Sequence, residues 1–190
     1  MISILMPNAQ EEQISRTLEQ VERYFPEAQV IIATDRDRRG KGWAMRQALS
    51  QATGDIICFL DGDGDISAME LNNILPFLGM YDIVCGVKTN IGLKSRKLIT
   101  LFSRLYIKIM FGLNDTQTGI KAFRKDALKE WKEDGWLFDV EILYNAKKAG
   151  KTITHVPIIA NVRSRQNVRA IIYTLIDSFK LFVRLRLVRK

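Results

Sequence analysis

Three short apolar runs, Ile2 to Met6, Val30 to Thr34 and Ile56 to Leu60, are separated within the first 60 residues by one helix-forming segment each, and this alternation restricts the fold more than any other feature. Apolar runs bounded by turn formers read as buried strands, and segments with apolar residues three and four apart read as helices. Gln10 to Tyr24 puts Ile14, Leu18 and Val21 on one face before Pro26 stops it, and Trp43 to Ala52 is closed by Gly54. Strand, helix, strand, helix, strand in this length calls for βαβ units. The predicted class is therefore α/β, a Rossmann-like, mostly parallel sheet flanked by helices. Downstream, the pattern predicts a helix near Ser67 to Phe77, a strand around Cys85, a basic amphipathic helix between Ile91 and Asn114, and a short strand from Ile120 to Phe123. Helices near Lys125 to Trp131 and Phe138 to Ala149, and a strand from Thr152 to Ile159, complete the series.

The third run ends in Asp61-Gly62-Asp63-Gly64-Asp65, so three carboxylates leave the end of a buried strand. Ligands of open α/β sheets bind beyond the carboxyl ends of such strands. Clustered carboxylates there suit Mg²⁺ or Mn²⁺, hard cations that take one or two carboxylates and complete their shell with phosphate oxygens and water. A calcium loop of the EF-hand type starts with the same Asp-x-Asp-x-Asp, but needs Gly and Glu where Ile66 and Asn72 stand. A solvated acidic turn is the plainer alternative, and three clustered carboxylates weigh against it.

The net charge of +8 is unevenly placed. From Asn161 to Lys190 there are eight basic residues and one acid, whereas residues 1–160 carry only +1. Ile91 to Asn114 holds five basic residues and no acid. Basic residues interleaved with Leu, Ile, Phe and Tyr at helical spacing describe amphipathic helices at a membrane surface, with a solvated basic face or a nucleic-acid patch as alternatives. The expected organisation is a domain over residues 1–160 followed by a basic amphipathic segment, 161–190, that packs on it or anchors it. Cys58 and Cys85 each sit in an apolar run and are expected to be reduced core residues of a cytosolic protein. The amino terminus lacks the features of a signal peptide, and no run of about 18 uncharged apolar residues occurs.

Several segments together resemble the glycosyltransferase family 2 enzymes of GT-A fold, and within them the dolichyl-phosphate mannose synthase branch. Pro7 with Gln10, Glu11 and Ile14 resembles the opening Pro-x-x-Asn-Glu-x-x-x-Ile signature, with Gln10 in place of Asn. Thr34-Asp35 resembles the remnant of a nucleotide motif, and Gly40-Lys41-Gly42-Trp43-Ala44 its Gly-Lys-Gly-x-Ala. Asp61-Gly62-Asp63 matches the metal-binding Asp-x-Asp, with Asp65 where a further ligand stands. The segment Asp115 to Arg124 resembles Asp-x-x-Ser-Gly-Phe-Arg-x-Phe-Arg, with Lys121 in place of the first Arg. Trp136 to Glu141, then Val156-Pro157-Ile158 with Arg163 and Arg169, resemble the closing motifs. Between Asp35 and Gly40 the family has an extra helix and strand, and here only a basic turn stands, so the nucleoside pocket is shortened. The transmembrane helices that some relatives carry are missing from the sequence, which makes the basic tail the expected anchor.

The resemblance implies an inverting, metal-dependent transfer of a hexose, most simply mannose from GDP-mannose, to a polyprenyl or dolichyl phosphate. Transfer of glucose from UDP-glucose is the alternative. A divalent ion, Mg²⁺ or Mn²⁺, would be held by Asp61 and Asp63, with Asp65 as a further candidate. Donor contacts are expected from Pro7, Glu11, Asp35, Lys41, Asp61, Arg163 and Arg169. Acceptor contacts are expected from Arg96, Arg104, Thr118 and Lys121. Asp115 and Arg163 join the two metal-site carboxylates as candidate catalytic groups. Asp139 and Glu141 could approach the sugar, with Asp139 equally a helix N-cap. His155, Trp43, Trp131 and Trp136 read as structural or packing residues. The enzyme is expected to be peripheral on the cytoplasmic face of a membrane with an anionic surface as partner. A related enzyme acting on a protein or glycan, or a nucleotidylyltransferase, and a nucleic-acid-binding module are the competing classes.

Overall fold

The computed structural model describes residues 1–89, 94–114, 118–160 and 168–187. β1 (Ile2–Pro7), α1 (Glu11–Tyr24), β2 (Gln29–Ala33), α2 (Lys41–Ser50) and β3 (Ile56–Leu60) follow the predicted alternation. Next come a short α3 (Leu71–Ile74) between two 3₁₀ turns, β4 (Ile83–Lys88), α4 (Lys94–Phe111), β5 (Ile120–Arg124), α5 (Phe138–Lys148), β6 (Ile153–Ile158) and α6 (Val168–Leu187).

The strands form one six-stranded sheet in the order β2-β1-β3-β5-β4-β6. β1 pairs in parallel with β2 and β3, and β4 with β6. β5 runs antiparallel between β3 and β4, with Leu60 opposite Ile120. This reversed strand begins where β3 ends, so Thr118 and Gly119 arrive beside Asp61.

Alternate residues of the strands feed two cores. Leu5, Ile57, Phe59, Ile83 and Phe123 meet α2, α4, α5 and α6 on one face. Ile4, Met6, Cys58, Leu60, Val84 and Ala122 meet α1 and α3 on the other. Both cysteines are buried and free, and burial pushes the Cys58 thiol up to about 12.

Two sequence expectations are corrected. The helix expected near Lys125 to Trp131 is a single 3₁₀ turn, Lys125–Ala127, after which Leu128 is extended. Tertiary contacts win over local preference there: Trp131 is 3% exposed and its indole N–H donates to the Gly42 carbonyl at 3.0 Å, drawing the chain across the start of α2. The helix expected near Ser67 to Phe77 is broken into α3 and its flanking 3₁₀ turns, with Pro76, which has no backbone N–H to donate, in the first turn of the second.

α4 and α6 pack on each other. Phe111 and Phe182 meet edge to face at 6.0 Å, the Ser178 hydroxyl donates to the Tyr106 oxygen at 3.0 Å, and Leu181 is buried in the core. Their other faces are open: Leu101, Phe102, Leu105 and Ile109 on α4, and Leu175, Ile176 and Phe179 on α6, are exposed. Among the described residues no helix is long and apolar enough to cross a membrane.

Candidate active site

The sheet reverses its winding between β1 and β3, and the crevice beyond the carboxyl ends of such strands is where α/β sheets bind ligands. A cavity of about 310 Å³ opens there, lined by Pro7 from β1, Asp35 after β2, Lys41 from α2, Asp61 and Asp63 after β3, and Trp136.

Asp61 is fixed from both sides. Its N–H donates to the Gly119 carbonyl at 2.9 Å, and its Oδ1 accepts from the Lys41 ammonium at 2.6 Å. A Cβ on Gly119 would lie 1.6 Å from Asp61 Oδ2, so only glycine permits this approach. Burial pushes the Asp61 carboxyl up, but the Lys41 ammonium, with Lys121 and Lys88 behind it, pulls it net below its ordinary value. Asp63 behaves oppositely. Burial and the charges of Asp61 and Asp65 raise it, against the Asp65 N–H that donates to its Oδ1 at 3.0 Å.

Asp35 shapes the turn that delivers Lys41. Its two oxygens accept the backbone N–H groups of Arg39 and Gly40 at 2.8 and 2.7 Å. Lys41 then lies 5.2 Å from the centre of the Trp136 ring. Trp136 is 78% exposed, which corrects its reading as a packing residue. Trp131 is buried, and Trp43 packs half-buried against the core with the Arg39 guanidinium over its ring.

The other expected site residues fall in four groups. Glu11 opens α1, exposed, and does not line the cavity. Thr118 and Lys121 lie inside the wall: Lys121 is 1% exposed, and its ammonium donates to the Thr118 carbonyl and, at 2.8 Å, to Asp139 Oδ2. Burial alone would lower the Lys121 pKa, but the Asp139 carboxylate raises it. Arg104 sits half-buried on α4. Asp115 and Arg163 lie outside the described residues, as do the side chains of Arg96 and Arg169.

Asp139 is no N-cap, since Leu137 holds that position and α5 has no side-chain cap. Glu141 is 3% exposed and turns inward, accepting the Lys132 and Glu133 N–H groups rather than facing the cavity. His155 stands in β6 opposite Cys85. Sequence reasoning missed Lys88, which ends β4 on the same sheet edge as the acidic cluster and bears electrostatically on Asp61 and Asp63. It also missed Gly119 as the residue that gives Asp61 its room.

Among the described residues, no three Asp, Glu, His or Cys side chains converge on one point. Asp61 and Asp63 are the carboxylate pair that lines the cavity, and Asp65 follows two residues on, its N–H bonded to Asp63. The pair still suits a hard divalent ion, because Asp61 already attracts a cation, Lys41, and such ions fill their remaining positions from phosphates and water.

The matching family model is that of glycosyl transferase family 2, over residues 12–132, and the chain belongs to that family. Among its relatives, an undecaprenyl-phosphate mannosyltransferase of Micrococcus luteus is 30% identical over 148 residues, covering 70% of this chain and 60% of the relative. A dolichyl-phosphate beta-glucosyltransferase of Homo sapiens is 27% identical over 164 residues, covering 76% of this chain and 51% of the relative. The chain thus spans only about half to three-fifths of the length of these relatives. Among solved structures, glucosyl-3-phosphoglycerate synthase of Mycobacterium tuberculosis in complex with phosphoglyceric acid superposes with a TM-score of 0.77 at 14% identity, covering 96% of this chain and 79% of that one. The same enzyme with Mn²⁺, UDP-glucose and phosphoglyceric acid gives 0.73 at 15% identity, covering 93% and 79%. At such identities the likeness concerns the fold, and it agrees with the α/β architecture of GT-A type expected from the sequence.

Proposed function

We propose that the protein transfers a hexose from a nucleotide diphosphate sugar to a polyprenyl phosphate at a membrane surface. The observation that carries this reading is the Lys41–Asp61 pair, 2.6 Å apart beside Asp63, at the edge of a cavity beyond the carboxyl ends of β1, β2 and β3. A carboxylate pair for a cation and an ammonium for a phosphate are the groups a diphosphate leaving group requires. The relatives' names cover mannosyl and glucosyl transfer to polyprenyl phosphates, so GDP-mannose and UDP-glucose are the two donors to compare.

In this mechanism Asp61 and Asp63 hold a divalent ion, Mg²⁺ or Mn²⁺. When bound, the ion stabilises the negative charge that grows on the leaving diphosphate. Lys41 moves its ammonium from Asp61 Oδ1 to a phosphate oxygen as the donor enters. Trp136 offers an exposed aromatic face next to that cation. Asp35, already holding the turn before α2, presents its remaining lone pairs to the nucleoside. The acceptor phosphate is an anion near neutral pH, so positioning rather than a strong base carries the rate. Lys88, at the same sheet edge, is a cation suited to that phosphate. The open apolar faces of α4 and α6, interspersed with Arg104, Lys108 and Lys180, suit a lipid headgroup layer.

The test is to incubate the protein with Mg²⁺ or Mn²⁺, dolichyl or undecaprenyl phosphate, and radiolabelled GDP-mannose or UDP-glucose in parallel, and to count label entering the organic phase. Label from one donor is the expected result, abolished by chelator and by Asp63→Ala. No label from either donor with either lipid would overturn the reading.

A further inference from the structure

Arg184 of α6 bridges two carboxylates with a single guanidinium nitrogen, Nη2, which lies 3.0 Å from Glu133 Oε2 and 2.9 Å from Glu141 Oε2. Glu141 holds the backbone N–H groups of Lys132 and Glu133 at 3.1 and 2.7 Å. The second oxygen of Glu133 accepts the Gly135 N–H at 3.3 Å. The segment so held touches the first turn of α2: Gly42 N–H donates to the Gly135 carbonyl at 3.2 Å, and Trp43 N–H to the Asp134 carbonyl at 3.1 Å. The contact is at backbone distance. A Cβ on Gly42 would lie 2.3 Å from the Glu133 carbonyl oxygen, and one on Gly40 2.3 Å from that of Asp134.

This explains both glycines of the Gly-Lys-Gly segment, and it defines a route. Lys41 stands between those glycines and Trp136 follows Gly135, and both line the cavity. We propose that Arg184 is a positioning residue of the donor pocket: by pinning Glu133 and Glu141 it fixes residues 132–136, and through them Lys41 and Trp136. The carboxyl-terminal helix is then a working part of the donor site. This rests on the reading of the cavity as a nucleotide-sugar site.

The physical case is one of charge. Without Arg184 two carboxylates share one space, and like charges at such range repel. Glu141 is buried and tied by two N–H groups, so Glu133, the more exposed partner, is the one free to leave. Its departure releases Gly135, and with it the contact to Gly42.

The test compares Arg184→Met, Arg184→Lys and the wild type by amide hydrogen exchange, by the Trp136 indole N–H resonance, and by titration with GDP-mannose and UDP-glucose in Mg²⁺. In Arg184→Met, exchange at Gly135, Gly42 and Trp43 should quicken roughly tenfold, as expected when about 1.4 kcal/mol of local stability is lost. Amides of β1 and β3 should keep their protection, the Trp136 resonance should move, and the donor that binds wild type should bind about tenfold more weakly. Arg184→Lys should fall between, because an ammonium keeps the charge without the planar fork. Transfer assays should show a raised donor KM with kcat nearly kept. Unchanged exchange at those three amides would overturn the proposal, and so would faster exchange with an unmoved Trp136 resonance or an unchanged donor affinity. If wild type binds neither donor, the proposed function fails, while exchange and the Trp136 resonance still decide the role of Arg184. Should Arg184→Met fail to fold, Glu133→Ala, which removes the carboxylate that links Arg184 to Gly135 at a partly exposed site, answers the same question.

Discussion

The Lys41 ammonium is shared: it lies 2.6 Å from Asp61 Oδ1 and 5.2 Å from the centre of the Trp136 ring. One cation thus links the acidic cluster to the exposed aromatic, and it is the leading influence that holds the Asp61 carboxyl below its ordinary value against burial. A depressed carboxyl stabilises the fold above its unfolded pKa, about 3.9, and this contribution is lost as pH falls through the lower folded value. In Lys41→Met burial is opposed by the weaker influences of Lys121 and Lys88, so Asp61 should titrate at higher pH and acid unfolding should begin earlier. Carboxyl-detected NMR titration and acid melts check both. An Asp61 titration unmoved by the substitution would show that Lys41 does not set it.

Gly119→Ala should cost more at the site than in the fold. Its Cβ would lie 1.6 Å from Asp61 Oδ2, so Asp61 must turn away or the start of β5 must retreat, and either loosens the 2.9 Å bond between them. Overpacking of this kind costs about 1–3 kcal/mol. Displacing a carboxylate needed for charge stabilisation should lower transfer by at least about 100-fold. Denaturant melts and the transfer assay measure the two effects, and an alanine variant of normal activity would show that Asp61 works from another position.

The buried Lys121–Asp139 pair, at 2.8 Å, makes a different prediction. Lys121→Met leaves the Asp139 carboxylate without its cation, with an oxygen that is already buried and lacks a partner among the described residues. Breaking such a pair from one side costs about 3–5 kcal/mol, whereas replacing both members by apolar residues is often neutral. The double variant Lys121→Met with Asp139→Leu should therefore recover most of the stability lost by the single one. If it also recovers transfer activity, Lys121 serves the wall; if it folds but stays inactive, the buried charge behind Asp61 serves the chemistry.

What could be read ahead of the structure was what local pattern determines. The βαβαβ alternation placed β1, β2 and β3, and the run ending at Leu60 put Asp61 and Asp63 at the strand's carboxyl edge, because period and turn chemistry are properties of neighbouring residues. The direction of β5 was invisible, since an apolar run of five residues reads alike in either orientation, and only that direction puts Gly119 on Asp61. Trp136 reads from composition as a packing residue, because its exposure depends on the loop from Leu128 to Gly135 crossing α2. The sequence likewise lets Glu141 approach the sugar because its neighbours belong to the closing motif, whereas its partners are backbone N–H groups eight and nine residues away and Arg184 on the last helix.

The apolar faces of α4 and α6 give the last prediction. Phe102 and Phe179 are 68% and 58% exposed, so Phe102→Asp and Phe179→Asp remove no core packing and should change stability by less than about 0.5 kcal/mol. Burying a Phe side chain fully is worth about 1.5–3 kcal/mol, and an interfacial helix buries part of it, so the double variant should bind vesicles at least about tenfold more weakly. Sedimentation with phosphatidylcholine vesicles, with and without one-quarter phosphatidylserine, measures this. Wild type should prefer the anionic vesicles, with the preference shrinking as salt rises, because basic side chains on the same helices supply a screened attraction. Wild-type binding that salt abolishes, together with a double variant that binds like wild type, would assign the contact to charge and leave the exposed phenylalanines to another partner.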